Sequence, residues 1–195
     1  MQQSIKLLFI AGSSREGSLN KKLARLAAEI AIANGLHATF ADLGDYPMPL
    51  YDGDIEANDG PPENARKLRA LIMVHTGVFI ASPEYNASIT PLLKNTLDWV
   101  SRVKVEGEAP LEVFKSRVFA LGSASPGALG GMRSLIATRQ VLELGLGALV
   151  LPDQVTIAKA SDAFEENGHL KDKALQVMLK TVVEKLARAA KVLHG

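Results

Sequence analysis

The sequence predicts an α/β fold built on a five-stranded parallel sheet of order 2-1-3-4-5 with helices on both faces. Three observations predict it: apolar runs of strand length, amphipathic helical stretches alternating with them, and clusters of Gly, Ser, Asn and Pro at the junctions. Parallel neighbours need crossover connections, and right-handed crossovers put helices on both sides of the sheet.

The apolar run over residues 5–11, ended by Gly12, has the pattern of a strand buried on both faces, hence a central one. Leu23, Leu26, Ala27 and Ile30 then recur at helical spacing, with Asn34-Gly35 as the stop. Residues 37–43 read as a shorter second strand. Over residues 44–62 Asp, Gly and Pro crowd without a sustained period, so a long surface loop is expected. Pro61-Pro62 open a helix marked by Ala65, Leu68 and Ile72, and residues 77–82 form the third strand. A helix over about residues 90–101 buries Leu93, Leu97 and Val100. Residues 117–123 give the fourth strand, Met132, Leu135, Ile136 and Leu142 a fourth helix, and residues 148–152 the fifth strand. Residues 154–170 have no clear period. Leu175, Met178, Leu179, Val182 and Leu186 define a closing helix with Lys and Arg on its other face.

Composition bounds the function. The 195 residues, 47% of them hydrophobic, suffice for one core, so a single domain over residues 1–195 is expected. Lys plus Arg number 22 against 21 Asp plus Glu, a balance that favours neither nucleic acid nor an anionic membrane and provides no acidic docking surface. The absence of cysteine removes disulfides, thiolate metal sites, iron–sulfur clusters and thiol nucleophiles, so redox chemistry requires a bound cofactor. His37, His75, His169 and His194 are scattered without metal-ligand spacing, and no nucleophile elbow is present. The run over residues 5–11 is far below the roughly 20 residues of a membrane span, and a loop follows it where a leader would carry its cleavage region; the cytoplasm is the expected compartment.

In open sheets of this order, ligands bind beyond the carboxyl ends of the strands, at the switch point between strands one and three. Three loops lie there. The first, Gly12-Ser13-Ser14-Arg15-Glu16-Gly17-Ser18-Leu19-Asn20, hands a strand over to a helix, whose unpaired N–H groups and positive dipole end suit a phosphate. Ser13 and Ser18 offer hydroxyls, Arg15 a charge and Asn20 an amide. The loop lacks both the dinucleotide glycine pattern and the Gly-Lys-Ser of a P-loop, which points to a mononucleotide. Capping of the helix by Ser18 or Asn20 is the plain alternative, but it does not require Arg15 or two further serines. The second loop, Pro83-Glu84-Tyr85-Asn86, offers a rigid and aromatic wall and backbone donors for a flat ring; alone it reads equally as a turn. The third, over residues 123–131, lets such a ring approach the backbone, although alone it reads as a flexible connection.

With Leu93-Lys94-Asn95-Thr96-Leu97-Asp98-Trp99, the first two loops resemble the NADPH-dependent FMN reductase family, which includes quinone, chromate and azo-dye reductases, over about residues 4–190. The resemblance implies a flavodoxin-like three-layer sandwich holding FMN noncovalently. Its phosphate would lie on Ser13, Arg15, Ser18, Leu19 and Asn20, and its ring against Pro83, Glu84, Tyr85 and Asn86 and against Ser123, Ala124, Ser125 and Gly127. It further implies NADPH or NADH as cosubstrate, delivering hydride to the flavin before a small acceptor such as a quinone, free flavin, chromate or azo compound takes its place. No side chain need act as acid or base. A homodimer or homotetramer is implied, with the helices of Trp99 and Arg139 as contact surfaces. The competing reading is a flavodoxin-type electron carrier, for which an acidic docking surface is expected against the formal charge of +1. A third reading is a nucleotide or sugar-phosphate protein without redox chemistry. Met132, Met178 and Trp99 read as core or interface residues, and residues 104–112 as a solvated loop that could border the substrate entrance.

Overall fold

The computed structural model describes residues 5–194. Five parallel strands, β1 (Lys6–Ala11), β2 (His37–Asp42), β3 (Gly77–Ala81), β4 (Val118–Ala124) and β5 (Leu149–Ile157), are ordered β2-β1-β3-β4-β5, as the sequence predicts. Alternate side chains of β1 serve opposite layers because strand periodicity is two. Leu7, Phe9 and Ala11 pack with α1 (Leu19–Ala33) and α7 (Lys173–His194), while Leu8 and Ile10 face α3 (Glu63–Met73) and α4 (Pro91–Arg102). Phe9 and Phe79 lie side by side in the β1–β3 register, with ring centroids 5.9 Å apart. β3 and β4 are buried along their whole lengths, the mark of central parallel strands.

The register also levels the carboxyl ends of the strands: Ala11 pairs with Ala81, and Ala81 with Gly122. The loops that leave them therefore emerge side by side.

Three expectations about secondary structure are corrected. The segment 44–62 is not all loop: after a 3-10 turn (Leu43–Asp45) it contains α2 (Gly53–Asp59), capped by the Asp52 carboxylate, which accepts from the Asp54 amide at 2.7 Å. None of the α2 residues is buried, so no apolar period could announce it. α5 (Glu112–Lys115) is likewise too short to show a period. β5 does not end at Pro152. The β4–β5 register shifts between Phe119 and Leu121, and this irregularity in an edge strand accommodates the proline; the strand then runs on to Ile157. α6 (Met132–Gln140) buries Ser134, Leu135 and Thr138, leaving Met132 37% and Ile136 62% exposed, and it ends in a π turn (Val141–Gly145).

Trp99 is fully buried and cannot itself form a contact surface. Its Nε1 donates to the Pro49 carbonyl at 2.7 Å, the Asn95 amide donates to the same oxygen at 2.9 Å, and Tyr51 meets the indole edge-on. This cluster straps the start of the 46–62 segment to α4. Because α4 begins at the ligand edge and rises about 1.5 Å per residue, the segment 104–112 follows its far end, and none of its residues lines the cleft at that edge.

His75 is buried between α3 and β2. Its Nδ1 donates to the Leu71 carbonyl (2.7 Å), so its Nε2 accepts from the Thr39 hydroxyl (2.9 Å) when the ring is neutral. Burial, helped by the charges of Lys6 and Arg117, holds its pKa below the ordinary 6.5. The unfolded chain then binds the proton first, so stability falls as the pH drops from 6.5 through the lower folded value. Urea unfolding at pH 7.5, 6.5 and 5.5 is expected to show stability falling below pH 6.5, with a slope of at most about 1.4 kcal/mol per pH unit, the limit for one proton. His75→Gln should flatten it, and an unchanged slope in that variant would assign the dependence to other groups.

Candidate functional site

The first loop is shaped by close approach. A Cβ on Gly12 would come to 3.0 Å from both Leu93 and Pro83, so a side chain there would have to push one of them aside. Its N–H donates to the Ala81 carbonyl (2.9 Å), and its carbonyl accepts from Thr90 Oγ1 (2.7 Å), the hydroxyl that also caps α4. Ser18 caps α1, its Oγ accepting from the Lys21 amide at 3.3 Å. Buried Lys21 donates through Nζ to the Ser14 carbonyl (3.0 Å) and pairs with Asp42 at 2.5 Å, clamping the loop from beneath. Ser13 is buried, and its Oγ accepts from the Arg15 amide at 3.3 Å. Among the described residues, nothing accepts from the amides of Leu19 and Asn20, and Arg15 is exposed without an ion pair. Two free donors at the positive end of a helix dipole beside an unpaired guanidinium make an anion cradle.

Asn20 has a further role. Its amide nitrogen donates to the Ala124 carbonyl (2.8 Å), and its amide oxygen accepts from the Ala124 N–H (3.0 Å), both buried. This pair ties the start of α1 to the end of β4 across the cleft.

In the second loop, Tyr85 and Ser88 exchange backbone hydrogen bonds at 3.0 Å around Asn86 (φ 49) and Ala87 (φ 64). Positive φ at both central residues is a tight reversal that non-glycine residues adopt rarely. Pro83 is buried and Tyr85 exposed. The Glu84 carboxylate turns to α6, accepting from the Arg133 amide (3.1 Å) and from Arg133 Nε (2.7 Å). It thereby neutralises the guanidinium, occupies the N-terminal end of α6, and fixes the loop it belongs to.

Beneath the third loop lies a buried hydroxyl cluster. Ser123 and Ser134 donate to the Ser82 carbonyl (2.7 and 2.9 Å), and Thr138, whose hydroxyl donates to the Ser134 carbonyl (2.7 Å), accepts from the Ser82 hydroxyl (3.0 Å). These bonds join β3, β4 and α6 at the floor of the site.

The loops enclose a cleft of about 380 Å³, within the range of small-ligand sites. Ser13, Arg15, Ser18, Leu19, Asn20, Pro83, Glu84, Tyr85, Ala124 and Ser125 line it together. Three of the residues implied for flavin contact do not: Ser123 spends its hydroxyl inside the floor, Asn86 sits at the exposed turn, and Gly127 lies beyond the rim. Gly17, Pro126 and Ser161 also line the cleft. Ser161 has no signal of its own in the sequence: it follows Ile157, where β5 ends, in a fourth loop at the same edge that an expected strand end at Pro152 conceals.

Comparison with known proteins gives a consistent picture. The family described as NADPH-dependent FMN reductase matches residues 5–162. A quinone reductase of Pseudomonas putida is 33% identical over 193 residues, covering 98% of both chains. An NAD(P)H-dependent FMN reductase of Pseudomonas aeruginosa is 32% identical over 196 residues and all of both chains. Among solved structures, a flavoenzyme NAD(P)H:(acceptor) oxidoreductase from Paracoccus denitrificans superposes with a TM-score of 0.77 at 24% identity, covering 98% of this chain and 99% of that one, a likeness of fold.

The Asn20 tie carries a stability prediction. Asn20→Ala strips two buried hydrogen bonds and leaves the Ala124 N–H and carbonyl without partners, at a cost of about 2–3 kcal/mol. Urea unfolding of the two proteins measures it, and a loss below about 0.5 kcal/mol, the scale of an ordinary surface change, would show that water replaces the amide.

Proposed function

This chain belongs to the NADPH-dependent FMN reductase family, an NAD(P)H-dependent oxidoreductase with FMN as its cofactor, and from that premise we propose that it passes electrons from NAD(P)H to a small acceptor, a quinone first among them, by a ping-pong cycle within one cytoplasmic domain. The observation that carries the reading is the pairing, in one cleft, of unpartnered helix amides and Arg15 with the wall formed by Pro83 and Tyr85. Relatives named as quinone reductases support the choice of acceptor class.

The residues divide the work. Arg15, the α1 amides and the hydroxyls of Ser13 and Ser18 hold a terminal phosphate; Pro83 and Tyr85 stack against a flat ring. The Glu84 and Asn86 N–H groups, without acceptors among the described residues, are the backbone donors this loop offers where negative charge develops; those of Tyr85, Ala124 and Ser125 are spent on Ser88, Asn20 and Ile157. When bound, the flavin itself supplies the two-electron chemistry. Asn20, Thr90 and Glu84 touch neighbouring loops and set the distances between the two halves. Exposed Tyr85 and Pro126 rim the mouth, leaving one side open to nicotinamide and acceptor in turn.

Purified protein is expected to take up FMN and to consume NADPH or NADH steadily only with a quinone present. Double-reciprocal plots at several fixed quinone concentrations should be parallel; intersecting lines would replace the ping-pong cycle with a ternary complex. Flavin-loaded protein that shows no turnover with any acceptor would favour the electron-carrier reading instead.

The assembly belongs to the same proposal. Met132 and Ile136 stand one turn apart on α6, exposed beside the cleft, and their burial against a second copy would give a homodimer, or a tetramer of two such dimers. Arg139 is drawn toward the sheet, donating to the Leu151 carbonyl at 2.8 Å, so the exposed apolar side chains rather than Arg139 mark the contact on this helix. Sedimentation at micromolar concentration should find no monomer in the wild type and a monomer in Ile136→Glu. A monomeric wild type would remove this part of the reading.

A further inference from the structure

The segment after β5 is a fourth wall of the cleft, one that the resemblance does not assign. Three backbone hydrogen bonds zip it to the third loop: Ser125 N–H to the Ile157 carbonyl (3.0 Å), Ala160 N–H to the Ser125 carbonyl (3.0 Å), and Lys159 N–H to the Gly127 carbonyl (3.3 Å). Lys159 takes φ 49 to make the reversal, and a Cβ on Gly130 would meet the Ala158 nitrogen at 2.9 Å, so the two loops are packed backbone to backbone. Ala160 is fully buried in the same apolar layer as Leu23, Ala24 and Ala27 of α1. That anchor brings the next residue, Ser161, to the α1 side of the cleft.

Ser161 is exposed and lines the cleft with Arg15, Gly17, Ser18 and Asn20. Among the described residues its hydroxyl has no hydrogen-bond partner. The adjacent carboxylate of Asp162 does not line the cleft. An unpartnered hydroxyl on a rigid loop, lining the same cleft as the free amides of a helix start, is a further donor for an anion held there.

We propose that Ser161 is a binding residue for the phosphate end of the FMN, adding its hydroxyl to the cradle of Arg15 and the α1 amides. This rests on the FMN reading of the cleft. The phosphate belongs to FMN but not to riboflavin, so the two flavins separate a phosphate contact from a general effect on the site.

The experiment titrates the full chain, freed of flavin, with FMN and with riboflavin, following quenching of flavin fluorescence. Ser161→Ala should raise the FMN dissociation constant about 10-fold, the scale of a hydrogen bond to a charged group, and leave that for riboflavin unchanged. Ser161→Asp, which sets a negative charge against the phosphate, should raise the FMN constant by about 100-fold or more, again sparing riboflavin. Ser161→Thr, which keeps the hydroxyl, should bind FMN as the wild type does. Equal losses for both flavins, or unchanged FMN affinity in the Ala and Asp variants, would overturn the assignment while leaving the FMN reading intact. Wild-type protein that binds riboflavin as well as FMN would overturn the phosphate cradle itself.

Discussion

The reciprocal hydrogen bonds between the Asn20 side chain and the Ala124 backbone are the interaction on which the site depends. A parallel sheet aligns the carboxyl ends of its strands, but it does not decide how near the first turn of a crossover helix comes to a strand two places away. Asn20 decides that for α1 and β4. With both of its polar groups satisfied in the buried layer, the amides of residues 19 and 20 stand at the cleft without acceptors among the described residues. Residues whose identity suggests ligand contact can thus serve by holding the contact surface in place.

The same division recurs around the cleft. Thr90 joins the start of α4 to the Gly12 carbonyl, Lys21 and Asp42 brace the loop from β2, and Glu84 holds its own loop by gripping Arg133. Polar groups below the surface are paired with one another, as burial demands. Arg15 and Ser161, without partners among the described residues, stand exposed where a ligand would meet them. Asn95 and Trp99, members of a motif that contributes to the family resemblance, act farther away by holding the chain at Pro49. Their part is to fix the long connection after β2 rather than to touch a cofactor.

What could be read in advance followed the physics of each signal. The runs in β1, β3 and β4 are buried on both faces, so they announce themselves without neighbours, and the loops at their ends were located with them. α2 buries no residue and left only an Asp cap as a trace. In α6, Ser134 and Thr138 face the interior because the Ser82 carbonyl and hydroxyl need partners there, an arrangement that inverts the apolar pattern and leaves Met132 and Ile136 outside. Pro152 read as a stop because its ring removes a ladder donor; at the edge of the sheet an irregular register absorbs that loss.

The sequence by itself determined the α/β alternation, the strand order and the donor-rich helix start in the loop from Gly12 to Asn20, since burial periodicity and helix-start chemistry are local properties. Only the tertiary structure decided which of those side chains face a ligand and which face one another. Ser123 and Asn20 are hydroxyl and amide donors on the page, yet their donors are spent on Ser82 and Ala124, 41 and 104 residues away in the chain. Ser161 carries no local signal and comes to the cleft because β5 passes its proline and Ala160 packs under α1. Hydrogen-bond partners distant in sequence are chosen by packing, and packing is set by the whole chain at once.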